Sequence, residues 1–189
     1  MLFRSPFIWR AIEFGLHWPN VRGISFQPMF QSGRTPRTAV SQNLSSPRLN
    51  TADIILAAVA QSDGHLRFED FTPLPCGDPN CATIGYLLKL KGEVRSISDF
   101  IDFTAVQGFL RDKVRYRLED LMKCGCDSEP LGDLLRQFEL DETNTFRLFV
   151  KPFMDALTWD EDRIDRCCTH VIRPDGKLDS FCRYYSGFK

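Results

Sequence analysis

The chain has 189 residues, 43% of them hydrophobic and 26% charged, with a formal net charge of −1. That length supports a full hydrophobic core in one domain, or one and a half. The near-neutral balance leaves no electrostatic footprint for nucleic acid or an anionic membrane.

The first ten residues, Met1 to Arg10, are interrupted by Arg4, Pro6 and Arg10 before any apolar region develops. No secretory leader is therefore expected. No stretch approaches the roughly 18 apolar residues that a membrane-spanning helix needs, and a reducing cytoplasm is the expected compartment. Ser5-Pro6 reads as a helix start, followed by Phe7, Ile8, Ala11, Ile12 and Phe14, with Gly15 as its stop. Val21 to Pro28 reads as a short strand ended by the proline. Helix, short loop and buried strand is the rhythm of a parallel α/β sheet.

Residues 31–50 form a long loop directly after that strand, where α/β folds place ligands. Within it Gly33 permits close backbone approach, and Arg34 can clamp a carboxylate or phosphate, or simply be a solvated loop arginine. Thr51 reads as the cap of a helix through about Ser62, ended by Asp63-Gly64. Phe68 to Cys76 reads as irregular, aromatic and proline-punctuated. An apolar segment from Ala82 to Leu90 leads into a Lys91-Gly92 turn. Leu131, Leu134, Leu135 and Phe138 have helical spacing. Phe146 to Val150 is a second buried-strand candidate, and Thr158-x-x-Glu161 reads as a capping box opening a helix that runs into Cys167.

Chemistry concentrates in the seven cysteines. An odd count argues against a disulfide framework, and clustered cytosolic thiols more often bind metal or react. Cys76 and Cys81 are spaced C-x4-C among Pro75, Gly77, Asp78 and Pro79, a tight loop in which thiolates can converge. Cys167, Cys168 and Cys182 flank Pro174-Asp175-Gly176, the signature of a hairpin turn. That hairpin can return Cys182 to the side of Cys168. Two or three hairpin cysteines plus two from the proline-rich loop supply the four thiolates of a 4Fe–4S cluster. A tetrahedral zinc site would use the same thiolates, and spacing alone does not separate the two metals. Neighbours in sequence point apart, so Cys167 competes with Cys168. Cys124 and Cys126, a C-x-C pair, lie outside this set.

His170 reads as a ligand or as a hairpin histidine bonded to backbone; His17 and His65 read as surface or loop residues. Asp155 either faces a site at a strand end or caps the next turn. Met29 and Phe30 read as core or pocket wall. The chain carries no nucleophile elbow, Walker loop, dinucleotide fingerprint or His-Glu-x-x-His.

Together these residues resemble a known family. Gly23-Ile24-Ser25-Phe26-Gln27-Pro28 with Ser32-Gly33-Arg34 resembles a late barrel strand and loop of radical S-adenosylmethionine (SAM) enzymes, in the branch of the archaeal tetraether lipid synthases and their bacterial relatives. Asp70-Phe71-Thr72-Pro73-Leu74-Pro75-Cys76, followed by Cys81, is similar to that group's Asp-Phe-x-Pro-x-Pro-Cys segment. Phe153 to Ala156, Arg166 to His170 and Pro174 to Cys182 are similar to its auxiliary-cluster region.

The resemblance implies an α/β fold: the C-terminal part of a partial (β/α) TIM-like barrel, residues 1–66, followed by a cysteine-rich auxiliary-cluster module with a β-hairpin, residues 67–189. It implies an auxiliary 4Fe–4S cluster on Cys76, Cys81, Cys168 and Cys182, with Cys167 competing, and a substrate or SAM pocket lined by Gln27, Gly33 and Arg34. The family's SAM cluster needs C-x3-C-x2-C, which is absent here. The expected partners are therefore a separate N-terminal barrel half carrying that cluster, and an electron donor such as ferredoxin or flavodoxin. Alone the chain would be inactive. The parent would be an oxidoreductase-type radical enzyme, with C–C bond formation on lipid as one possible reaction. The contrasting expectation is a non-enzymatic, zinc-stapled interaction domain built on the same cysteines.

Overall fold

The computed structural model describes residues 5–28, 49–74, 77–90, 92–100, 102, 142–155 and 158–186. Gly33, Arg34, Cys76, Cys124, Cys126 and the helical pattern at Leu131 to Phe138 lie outside the described residues.

Helix α1 runs Ile8–His17, just after a Pro6-Phe7 turn. Ile8 and Ile12 are buried one turn apart, while Phe7 and Phe14 are exposed. Gly15 is not a stop, because it lies inside the helix and is buried there. A Cβ at Gly15 would stand 2.8 Å from Cζ of Phe146, so the glycine marks close helix–sheet packing. Strand β1 is Gly23–Phe26.

Helix α2, Thr51–Gln61, begins one residue earlier than a Thr51 cap would give: Asn50 is the cap. Its side chain accepts from the Asp53 N–H at 3.0 Å, and the Asp53 carboxylate accepts from the Asn50 N–H at 3.0 Å. That reciprocal box satisfies two orphan donors, which a lone Thr51 hydroxyl could not do. The helix ends where expected, with Asp63 and Gly64 at positive φ.

The stretch read as irregular contains a 3-10 turn at Phe68–Asp70 and a strand, β2, at Phe71–Pro73. Strand β3 is Thr83–Leu90, β4 is Glu93–Ser96 and β5 is Thr145–Val150. The sheet order is β1-β5-β3-β2, with β4 also on β3. β1 pairs with β5 in parallel, and β3 is antiparallel to β5, β2 and β4. The sheet is thus mixed, and a purely parallel barrel segment is not what these strands form. The hairpins β2–β3 and β3–β4 are local, which favours antiparallel pairing.

The main core joins Ile8, Ile12, Ile54, Ala58 and Leu66 to Phe71, Leu87, Phe146, Leu148 and Val150. Along β5 the buried residues alternate with Arg147 and Phe149, so only one strand face enters this core. Sheet and core therefore draw on residues from both sides of the 66/67 boundary. Asp70 is fully buried and holds β4's end, accepting from Arg67 N–H at 2.7 Å, Ser98 N–H at 3.1 Å and the Ser96 hydroxyl.

A second, smaller cluster of Met154, Ile164 and Cys182 packs with Phe153, Trp159 and Phe181. Helix α3, Glu161–Asp165, is capped by Asp160, which accepts from Arg163 N–H at 3.2 Å. Thr158 does not cap it, because its hydroxyl is committed to the Asp155 carboxylate at 3.1 Å. The expected hairpin is present: β6, His170–Ile172, pairs antiparallel with β7, Leu178–Ser180, around Gly176 at φ +79°. Helix α4 follows at Phe181–Ser186. Among the described residues no helix is long and apolar enough to cross a membrane.

Candidate metal centre

The chemistry gathers at one end of the sheet. β1 and β5 are parallel, so their carboxyl ends lie together, and the backbone continues the pairing with Lys151 N–H donating to Phe26 O at 3.0 Å. Gln27 follows directly and its side chain is exposed. β3 runs the other way, so its start, with Cys81 and Ala82 just before Thr83, is at the same end. Carboxyl ends of parallel strands are where open α/β sheets bind ligands.

The loop carrying Cys81 is tightly built. Asp78 is buried; its carboxylate accepts from Asn80 N–H at 2.8 Å, and its backbone carbonyl accepts from Cys81 N–H at 2.9 Å. The same carboxylate pairs with Arg166 at 3.0 Å. Gly77, at φ +82°, packs so closely that a Cβ there would stand 2.7 Å from Arg166 O and 3.6 Å from Cys168 Sγ. The loop is thus docked on the segment that carries Cys167 and Cys168, nearly ninety residues later in sequence.

Cys81 and Cys182 are buried, Cys167 is partly buried and Cys168 is exposed, all as free thiols. From this segment the thiol that acts electrostatically on Cys182 is Cys167, and Cys81 acts on it as well. Burial, followed by these two thiols, pushes the Cys182 thiol up from its ordinary range, while the Met154 N–H and Arg163 oppose the rise. Two backbone amides point at sulfur: Met154 N–H at Cys182 and Thr169 N–H at Cys167, both at 3.4 Å. The Cys167 thiol also donates to Thr169 O at 3.1 Å.

Sequence reading missed Lys151. It is 9% exposed, donates to Cys81 Sγ and Thr169 Oγ1 at 3.4 Å each, and lies 5.4 Å over the Phe153 ring. The one signal available was a lysine directly after a buried-strand pattern, where a solvated end is the usual expectation. Nearby, Arg163 donates to Pro152 O at 2.9 Å through Nη2, but its buried Nε has no partner. The buried Ser180 hydroxyl, two residues before Cys182, is also unpartnered.

Of the other candidates, Asp155 is 1% exposed and holds the turn to Thr158. His170 is exposed in β6, and His65 stacks on Trp9 at 5.5 Å.

Among the described residues no group of three His, Cys, Asp or Glu side chains is drawn together closely enough to hold a metal ion. The donor types nonetheless fit a thiolate-ligated group. Cys81 and Cys167 both act electrostatically on Cys182, two amides are aimed at sulfur, Lys151 donates to Cys81, and the buried Arg163 Nε and Ser180 Oγ have no partner. A buried ammonium needs an anion nearby, and sulfur is the candidate here.

No family model matches the chain. It is similar to a 7,8-dihydro-6-hydroxymethylpterin dimethyltransferase of Methanocaldococcus jannaschii, at 26% identity over 219 aligned residues, covering 87% of this chain and 42% of the relative. The chain spans about two-fifths of that relative's length.

Proposed function

We propose that this chain is the C-terminal portion of a radical SAM iron–sulfur enzyme and that its thiols hold an auxiliary 4Fe–4S cluster. The observation that carries the reading is the docking of the Cys81 loop on the Cys167 segment, beside Cys182 and a buried lysine. Cys81, Cys167 and Cys182 would supply three ligands and Cys76, five residues before Cys81, the fourth; Cys168 is the alternate. When bound, such a cluster supplies a one-electron redox centre whose potential the surrounding charges and N–H···S bonds set. The Met154 and Thr169 amides are positioned to make those bonds.

The SAM-binding cluster would come from a barrel half outside these residues, since C-x3-C-x2-C is absent, and its electron from a ferredoxin or flavodoxin. Gln27, with Gly33 and Arg34, would line the SAM or substrate pocket at the carboxyl end of β1. The similarity to a pterin dimethyltransferase supports methyl-group transfer in the parent enzyme; a lipid substrate rests on the tetraether-branch resemblance alone.

Anaerobic reconstitution of the 189-residue chain with iron and sulfide tests the site. The expected product is brown and contains iron and acid-labile sulfide in near-equal amounts. A colourless protein that retains only zinc would overturn the reading in favour of a structural zinc site.

A further inference from the structure

We propose that the outer side of α1 and the free edge of β1 form one docking surface for a strand–helix unit of the parent protein, its strand added parallel to β1. The inference rests on the reading of the chain as one portion of a larger enzyme and names the surface by which the portions join.

Phe7 and Trp18 flank α1, and with Ala11 and Phe14 they are spaced i, i+4, i+7 and i+11, so they share one line along the helix. Phe7 is 58% exposed, Phe14 68% and Trp18 49%. At about 100° per residue this line lies roughly a quarter turn from the buried Ile8, Ile12 and Gly15, and about half a turn from Trp9. Trp9 is on the side of α2: its N–H donates to the Gln61 side chain at 3.2 Å and its ring stacks on His65. α1 packs on both α2 and β1, so the aromatic line looks away from α2, along the sheet and past β1. Arg10, Glu13 and His17 already give the helix a solvated polar face. The aromatic line is a second exposed face, with Phe14 edge-on to Trp18 at 6.2 Å and Arg10 over Phe7 at 5.6 Å. Contiguous exposed apolar surface of this kind marks an interaction site.

β1 offers the matching backbone. Among the described residues its only strand neighbour is β5. The carbonyls of Arg22 and Phe26 accept from the N–H groups of Arg147 and Lys151. Alternation along the strand then turns the N–H and C=O of Gly23 and Ser25 to the opposite edge, where no described strand meets them. Such an edge accepts an added strand. The chain order sets its direction. α1 leads into β1, and helix then strand closes a right-handed β-α-β crossover whose first strand lies parallel to the last. β5 is parallel to β1 but comes later in the chain, so it is not that first strand. A second copy related by a two-fold axis would instead set β1 against β1 antiparallel. The chain spans 42% of the Methanocaldococcus jannaschii relative, and a parent of that size has ample chain for the unit.

The probe is the portion of that relative outside the aligned residues, coexpressed with this chain as a separate polypeptide. A stable complex is expected, with slower amide hydrogen exchange at residues 7–26 than in the free chain, Gly23 and Ser25 included. Phe14→Glu and Trp18→Glu should each weaken it roughly tenfold or more. Ser25→Pro removes an N–H that only an added strand would use and should weaken it as well, since an edge strand tolerates an outward-facing proline in its own fold. Ile172→Glu and Leu178→Glu, at exposed apolar positions of the β6–β7 hairpin, should leave it unchanged. Circular dichroism and urea midpoints qualify each variant as folded, and the exposed α1 positions are expected to stay near wild type. Where Ser25→Pro does not fold, the α1 variants decide. Absence of a complex overturns the inference, as does a complex that the α1 variants leave at full strength. A wild-type chain that dimerises alone in sedimentation, and loses the dimer in Phe14→Glu, also overturns it and makes a second copy the occupant. Iron uptake is read separately on the wild-type chain, so the cluster reading stands or falls independently of the docking.

Discussion

Cys182 unites several local effects. Its sulfur is buried in the small cluster with Met154 and Ile164, accepts the Met154 amide, and is felt by two other thiols. Burial is the largest influence and favours the neutral thiol. In the metal-free protein the folded state therefore keeps the Cys182 proton to a higher pH than the unfolded chain, whose thiols ionise near about 8.5. The contribution is fully present below that pH and is lost as pH rises through the raised folded value. Metal-free protein should thus lose stability to urea above about pH 8.5, and Cys182→Ala should flatten that alkaline fall. An unchanged alkaline slope in the variant would show that the loss originates elsewhere.

At the scale of elements, legibility followed locality. The hairpin around Pro174-Asp175-Gly176 was readable because turn chemistry sits within four residues, and β5 because four of its five residues from Phe146 to Val150 are apolar. β2 was not readable: Phe71-Thr72-Pro73 ends in a proline, and its strand character comes from pairing with Thr83, Ile84 and Gly85. The same long-range cause hid Gly15 as a packing glycine under Phe146 and Lys151 as a buried cation. Cysteine identity was legible, but the docking of the Gly77 loop on Arg166 and Cys168 was not. That docking is testable. Gly77 and Gly92 both have positive φ, +82° and +92°, but only Gly77 has backbone in the way of a Cβ. Gly92→Ala should cost only the conformational strain, about 1 kcal/mol, whereas Gly77→Ala should cost about 2–3 kcal/mol and lower iron uptake on reconstitution. Urea midpoints of the two variants decide it: equal losses would mean the loop is not pressed against Arg166.

For the whole molecule, one core serves both stretches. Ile12 and Ile54 lie before residue 66 and Phe146 and Leu148 far after it, yet they pack together. β1 has β5 as its strand partner, and the bond from Lys151 to Phe26 carries that pairing to the thiol site. The shared core therefore crosses the 66/67 division. Deleting residues 1–66 would strip β5 of its parallel neighbour and uncover the buried faces of Phe146, Leu148 and Val150, each a loss of about 1.5–3 kcal/mol. Against a total stability of about 5–15 kcal/mol, such a sum removes the folded state. Residues 1–66 and 67–189 produced separately are expected to show no cooperative thermal transition, and mixing them should restore one if they reassociate during refolding. A cooperative transition in 67–189 alone would instead establish an autonomous cysteine-rich module. It would also place the tether between Lys151 and β1 outside the forces that hold the thiols in position.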